Sequence, residues 1–276
     1  MIMKIAIQGT NSSFHAIAAR ALFSDDIEFE ECLAFKDVFA AIENGTVEYG
    51  VVAIENSLYG SINDTYDLLV KHDFHIHAET YEHISLHLLG VRSASLSTIT
   101  DVYSHPAALG ESIDFLDQNL PEAQRHEYSD TALSADFVAK NNDISKASIA
   151  GDAAAKAHGL QYLAKNIETH HANYTRFIAI SKQVNIIPPT DRIKSSIVFQ
   201  TPDKPGSLYA ALGIFAERNI NLTKLESRPI IGKAWRYMYY IDIESDCNDD
   251  LLSALKPYAH NIRVLGVYEN NTHIPD

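Results

Sequence analysis

Cysteine is nearly absent from this chain, with two in 276 residues, Cys32 and Cys247, far apart. That spacing supports neither a disulfide framework nor a zinc cluster. Basic residues are also scarce, 22 Lys and Arg against 36 Asp and Glu, for a net charge of −14. The balance argues against a nucleic-acid partner, because neutralising phosphates requires a basic face. Small anions stay possible, since helix N-termini and backbone amides can hold a dicarboxylate locally. No apolar run approaches the roughly 20 residues a membrane span needs, so no membrane role is expected. The opening Met-Ile-Met-Lys passes straight into a strand pattern without a basic, then apolar, leader, and the cytoplasm is the expected compartment. What remains is an ordinary soluble-protein composition, 46% hydrophobic and 21% charged, in a chain long enough for two domains.

The chain is organised around Val51 to Leu69, VVAIENSLYGSINDTYDLL. Val51 to Ile54 is a short β-branched run that reads as a buried strand, and Glu55, Asn56 and Ser57 follow at its carboxyl end. After Gly60 the period changes to 3.6, with Ile62, Tyr66, Leu69 and Val70 on one face and Ser61 to Asp64 spaced as a capping box. A strand delivering polar residues to such a loop is where open α/β sheets bind ligands.

Lys4 to Gln8 reads as a first strand, turning at Gly9-Thr10-Asn11 into a helix capped by Ser12-Ser13. A single glycine there is too few for a dinucleotide fingerprint, but the loop remains a good anion site. A helix with Phe35, Val38, Phe39 and Ile42 on one face stops at Asn44-Gly45. Residues 74–77 and 81–89 read as strands, with His83, Ser85 and His87 on a common face. Three strand-to-helix joints follow at Ser104-His105-Pro106, Ser129-Asp130 and Gly151-Asp152, and a late strand spans 173–180. Repeated units of this kind imply a parallel or mostly parallel sheet covered on both faces.

Pro188-Pro189 interrupts the pattern, so residues 185–193 are expected to be a linker. Beyond it the order strand 195–200, helix 207–218, strands 221–228 and 234–243, helix 248–258 and strand 261–268 is the ferredoxin-like βαββαβ unit.

Taken together, Glu55-Asn56-Ser57 with Gly60-Ser61-Ile62-Asn63-Asp64, Ser104-His105-Pro106, Thr175-Arg176-Phe177 and Glu226-Ser227-Arg228-Pro229 resemble the bacterial prephenate dehydratases nearly end to end. The resemblance implies an α/β fold: a two-lobed catalytic domain similar to type II periplasmic binding proteins, over residues 1–184, followed by an ACT regulatory domain over 194–276. The lobes would be about 1–78 plus 168–184, and 79–167. It implies decarboxylative dehydration of prephenate to phenylpyruvate in phenylalanine biosynthesis, without a cofactor. Thirteen histidines are present, but no set is completed into a tetrahedral site and the reaction needs no Lewis acid, so no metal is expected.

By the same resemblance Thr175 hydrogen-bonds or protonates the departing hydroxyl and Asn56 donates to a substrate oxygen. Ser104 starts a helix aimed at the cleft. Glu55 is either a buried proton source or a partner for loop amides, and Arg176 either neutralises a substrate carboxylate or forms an ion pair between the lobes. Ser57 and Thr10 are further candidates for carboxylate contacts, being in loops that lead toward helix N-termini. Glu111 stands where the family usually has glutamine; seven residues from Ser104, it would share a helix face with it. An ionised carboxylate there would repel a dianion, so Glu111 is protonated, acts as an acid, is paired with a cation, or lies in a helix whose register differs from the family's.

In the C-terminal half Glu226, Ser227, Arg228 and Pro229 match one effector motif, and Gly206, Ser207 and Leu208, followed by Tyr209, stand at the other in altered form. L-phenylalanine is the implied effector and a homodimer or homotetramer the implied assembly. Arogenate dehydratase and a non-catalytic ligand sensor of the same architecture are the alternative functions.

Overall fold

The computed structural model describes residues 2–184 and 192–271. The expected linker lies outside the described residues except for its last two positions. Two compact units are distinguished, Met1–Leu68 with Thr80–Phe177, and Leu69–Glu79 with Ile178–Asp276.

The first unit opens with β1 (Met3–Gln8), α1 (Phe14–Leu22), β2 (Ile27–Cys32), α2 (Phe35–Glu43) and β3 (Tyr49–Asn56). β1 pairs parallel to both β2 and β3. Ile5, Ile7, Val51 and Val52 are fully buried, as central strands covered on both faces require. Ser13 caps α1 by accepting from the Ala16 amide. β4 (Gly60–Ser61) turns back antiparallel onto the end of β3, a reversal Gly60 permits at φ +77°. Ser61 is therefore held in a strand and α3 (Asn63–Lys71) starts two residues later, so the capping box expected from Ser61 to Asp64 is not in place. β5 (His75–His83) follows.

The second lobe contains β6 (His87–Gly90), β7 (Asp101–Ser104), α4 (Pro106–Glu111), α5 (Ile113–Asn119), β8 (Gln124–Glu127), α6 (Thr131–Asn141), β9 (Lys146–Ala150), α7 (Asp152–His158) and β10 (Gln161–Ala164). Its sheet has the order β10-β6-β9-β7-β8. β7 is parallel to β8 and β9, whereas β6 is antiparallel to β9 and β10, so the sheet is mixed where a mostly parallel one is expected. β11 (Tyr174–Ser181) then returns to the first sheet, completing the order β2-β1-β3-β11-β5.

The alternating run from His83 to Leu88 is not one strand. It is the crossover between sheets, broken because the Ile84 amide donates to the Asn173 carbonyl and the Leu86 amide to Glu168. His83 ends β5 while His87, buried, begins β6, so the two do not share a strand face. Leu88, Leu89, Val102, Leu116, Val138 and Ile149 form the core of this lobe.

The second unit carries β12 (Ile193–Gln200), α8 (Ser207–Ala216), β13 (Leu222–Pro229), β14 (Tyr237–Ile243), α9 (Asp249–Leu255) and β15 (His260–Glu269). The sheet order β13-β14-β12-β15, antiparallel throughout, is that of the expected βαββαβ unit. Phe199, Phe215, Ile241 and Leu255 fill its core. Within this unit the Arg263 guanidinium donates to the carbonyls of Leu69, His72 and Phe74, at 3.0, 3.1 and 2.7 Å. Lys194 meets Glu79 at 2.6 Å with both side chains out of solvent, a burial that only close pairing sustains.

Candidate active site

Neighbouring strands β3 and β11 each turn alternate side chains to opposite faces. On one face Asn56 Nδ2 donates to Thr175 Oγ1 at 3.1 Å and to Asn173 Oδ1 at 2.7 Å. Asn56 cannot flip, because its Oδ1 accepts from the Leu58 and Tyr59 amides at 2.8 and 2.9 Å. Asn173 Nδ2 in turn donates to Glu111 Oε2 at 2.8 Å. Four buried side chains thus form one hydrogen-bonded chain from the first sheet to the last residue of α4 in the second lobe.

A pocket of about 450 Å³ opens beside this chain. Asn56, Thr175 and Glu111 line it, together with His15, His105, Asp130, Phe177 and Tyr59. The described lining residues include no lysine or arginine. The first residues of α1 and α2, and the starts of α3 and α6, line it instead through Phe14, Phe35, Asp64 and Thr131. The positive dipole ends of these helices thus face the pocket, a setting that favours an anion.

Burial pushes the Glu111 carboxyl up to about 7, helped by the charge of Glu168 and opposed by the Asn173 hydrogen bond. At neutral pH about half of this group is therefore uncharged, and below about pH 6 nearly all of it. Burial holds His15 down at about 3, with the nearby His105 adding to the effect. His105 is lowered by burial against the opposing charges of Asp130 and Glu127. Asp130 is raised by burial while the Leu133 and Ala132 amides oppose the shift. Its Oδ2 would stand 2.8 Å from a Cβ placed on Gly9, at φ +85°, so this close approach needs glycine.

The other sequence candidates lie elsewhere. Glu55 and Arg176 meet at 3.8 Å on the face of β3 and β11 opposite Asn56 and Thr175, where Arg176 is buried. Both belong to the first sheet, so the pair ties strands and does not bridge lobes. Ser57 accepts from the Tyr174 amide and donates to the Ala172 carbonyl, lacing its loop to the start of β11. Thr10 Oγ1 lies 3.0 Å from Ser12 Oγ. Ser104 is fully buried and donates to the Ile149 carbonyl at 2.6 Å. It ends β7, while His105 caps α4 through Nδ1, so the helical spacing from Ser104 to Glu111 does not place them on one face.

Asn173, His105, Asp130 and Tyr59 are functional candidates beyond those expected. Asn173 carries a signal in the sequence, since it stands two residues before Thr175 and shares its face in an extended chain. His105 and Asp130 come from the second lobe and Tyr59 from the first, and no spacing in the sequence brings the three to one pocket.

In the second unit a pocket of about 600 Å³ is lined by Gly206, Ser207 and Leu208 with Tyr209, Lys233, Trp235 and Arg236. The Ser207 hydroxyl is buried and has no hydrogen-bond partner among the described residues. Glu226 to Pro229 lie along β13 and do not line this pocket.

Fold and site together define a two-lobed α/β enzyme with a small C-terminal regulatory domain. The prephenate dehydratase family pattern matches residues 5–185, and the ACT domain pattern residues 195–257. A bifunctional chorismate mutase/prephenate dehydratase of Aquifex aeolicus is 36% identical over 270 residues, 96% of this chain and 73% of the relative. An Arabidopsis thaliana arogenate dehydratase/prephenate dehydratase is 38% identical over 96% of this chain and 72% of its own length. A prephenate dehydratase from Arthrobacter aurescens, solved in complex with L-Phe, superimposes with a TM-score of 0.88 at 27% identity, covering 99% of this chain and 92% of that one. The chain belongs to the prephenate dehydratase family and is a lyase of aromatic amino acid biosynthesis with a C-terminal ACT domain.

Proposed function

We propose that residues 1–184 turn prephenate into phenylpyruvate in the pocket between β3, β11 and α4, and that residues 194–276 regulate them. The reaction breaks the bond to the ring carboxylate, releasing carbon dioxide, and its electron pair completes the aromatic ring as the C4 hydroxyl departs. One proton from solvent is consumed in making that hydroxyl water. Thr175 accepts from Asn56, which leaves its own hydrogen to be donated to the departing oxygen as charge develops there. Helix N-termini hold the two carboxylates, and a neutral Glu111 lets the dianion enter a pocket without cations.

The observation that carries the reading is the chain Thr175–Asn56–Asn173–Glu111, which leaves the Thr175 hydroxyl hydrogen to be donated from the pocket wall. Incubation with prephenate and ultraviolet detection of phenylpyruvate tests it: turnover well above the buffer rate is expected, and turnover at the buffer rate refutes it.

We extend the reading to L-phenylalanine as effector and to a cytoplasmic homodimer or homotetramer. Tyr209, Ile231 and Trp235, each more than 80% exposed in the second unit, supply apolar surface for association. Saturating L-phenylalanine is expected to slow turnover and to raise the melting temperature, since a ligand at about 100 times its Kd adds about 2.7 kcal/mol. An unchanged rate and an unchanged melting temperature would remove phenylalanine as the effector.

A further inference from the structure

Asn173 is fully buried and both ends of its amide are engaged, Oδ1 by Asn56 and Nδ2 by Glu111. Its backbone carbonyl accepts from Ile84 in the crossover, so the main chain is fixed as well. Asn56 has two amide hydrogens, and Asn173 takes the shorter of its two hydrogen bonds, 2.7 against 3.1 Å to Thr175. Were that acceptor missing, the Asn56 amide would keep its Oδ1 anchors but could twist its donor away from Thr175.

The Thr175 hydroxyl would then be free to donate back to Asn56's surroundings and lose its aim at the pocket. At the other end, Asn173 supplies a donor to a carboxyl that burial and the charge of Glu168 both push toward its neutral form. Burial, and after it the charge of nearby Glu111, holds the Tyr59 hydroxyl above its usual pKa, and His105 and Asp130 line the same pocket.

We infer that Asn173 is a positioning residue for the dehydration: by bridging Glu111 and Asn56 it fixes the Asn56 donor on Thr175 and couples the carboxyl of one lobe to the hydroxyl of the other. The inference rests on the dehydratase reading of the pocket. Asn173 is not among the residues lining the pocket and acts through its neighbours, so its signature is a split between kinetic constants and a moved pH limb. Simple loss of activity would be ambiguous.

Asn173→Ala is expected to lower kcat roughly tenfold at pH 6, the size of one neutral hydrogen bond in the transition state, with KM within about threefold. Removing the donor to Glu111 disfavours the carboxylate, so the Glu111 titration moves to higher pH. Carbon-13 NMR of the carboxyl reads this shift without substrate. Asn173→Asp, of the same shape, keeps an acceptor for Asn56 but sets two carboxyls side by side, which must share a proton. Its activity is expected to recover only as pH falls.

Parent-like kcat together with a parent-like Glu111 titration in both variants would overturn the proposal. So would a lower melting temperature with the titration unmoved, which is what a merely structural role predicts. A parent chain that turns over no prephenate would sink the dehydratase reading instead, while the NMR titration would still decide whether Asn173 and Glu111 are coupled.

Discussion

Thr175→Ala is expected to lose roughly 100- to 1000-fold in kcat with little change in KM, the range seen when one donor to a developing oxyanion is removed. Thr175 lies on a central strand, buried against Asn56, and its only hydrogen is the one not accounted for by that contact. Alanine keeps the strand and the packing but takes away both the donor and the acceptor that fixes Asn56. On the proposed reading helix starts hold the substrate carboxylates, so ground-state binding is expected to change little. Thr175→Ser restores the hydroxyl and should recover most of the rate. Loss confined to KM would mean that Thr175 binds substrate and does not assist the leaving group.

Glu111→Gln is expected to retain activity near pH 6 and to flatten the alkaline limb of the pH–rate profile. With its carboxyl raised to about 7, the parent loses the neutral form as pH passes that value, tenfold for each further unit. At pH 9 the variant should therefore exceed the parent by about 100-fold. Glutamine can still accept from Asn173, so the chain to Thr175 is kept. Stability follows the same sign. The folded state holds its proton up to about 7 while the unfolded carboxyl releases it near 4.5, so the protein loses stability as pH rises between those values and levels off above them. The loss amounts to about 3 kcal/mol, and Glu111→Gln should remove it. Complete inactivity of the variant at every pH would show that Glu111 is itself the proton donor.

Much of the architecture is written in local pattern. The strand and cap at Ser13, the Ser-His-Pro helix start, the Asp130 cap and the βαββαβ order in the C-terminal half all follow from periodicity and turn chemistry, and all are present. β2 goes beyond the expected elements. Local pattern misleads where tertiary pairing overrides it. Ser61 has the residues of a cap yet is claimed by β4, and the alternation from His83 to Leu88 is cut by hydrogen bonds to Asn173 and Glu168, more than 80 residues later.

The site was legible in its residue types and less so in its geometry. Asn56 and Thr175 can be placed on one wall from alternation alone once β3 and β11 are neighbours. That adjacency is a long-range fact, and no spacing within the sequence states it. The same alternation puts Glu55 and Arg176 on the far face, a consequence visible in the sequence only after the facing of Asn56 is known. Glu111 stands out as a carboxylate in place of an amide, but its raised pKa comes from burial and from the charge of Glu168 across the fold.

The central claim is a pocket wall whose donor is set by a buried, neutral carboxyl two amides away. Its most direct test is a carbon-13 NMR titration of protein labelled at glutamate carboxyls, with Glu111→Gln used to assign the signal. The account predicts one carboxyl, absent from the variant, that titrates near pH 7 while ordinary glutamates titrate near 4.5. A Glu111 signal titrating with the ordinary glutamates would contradict it.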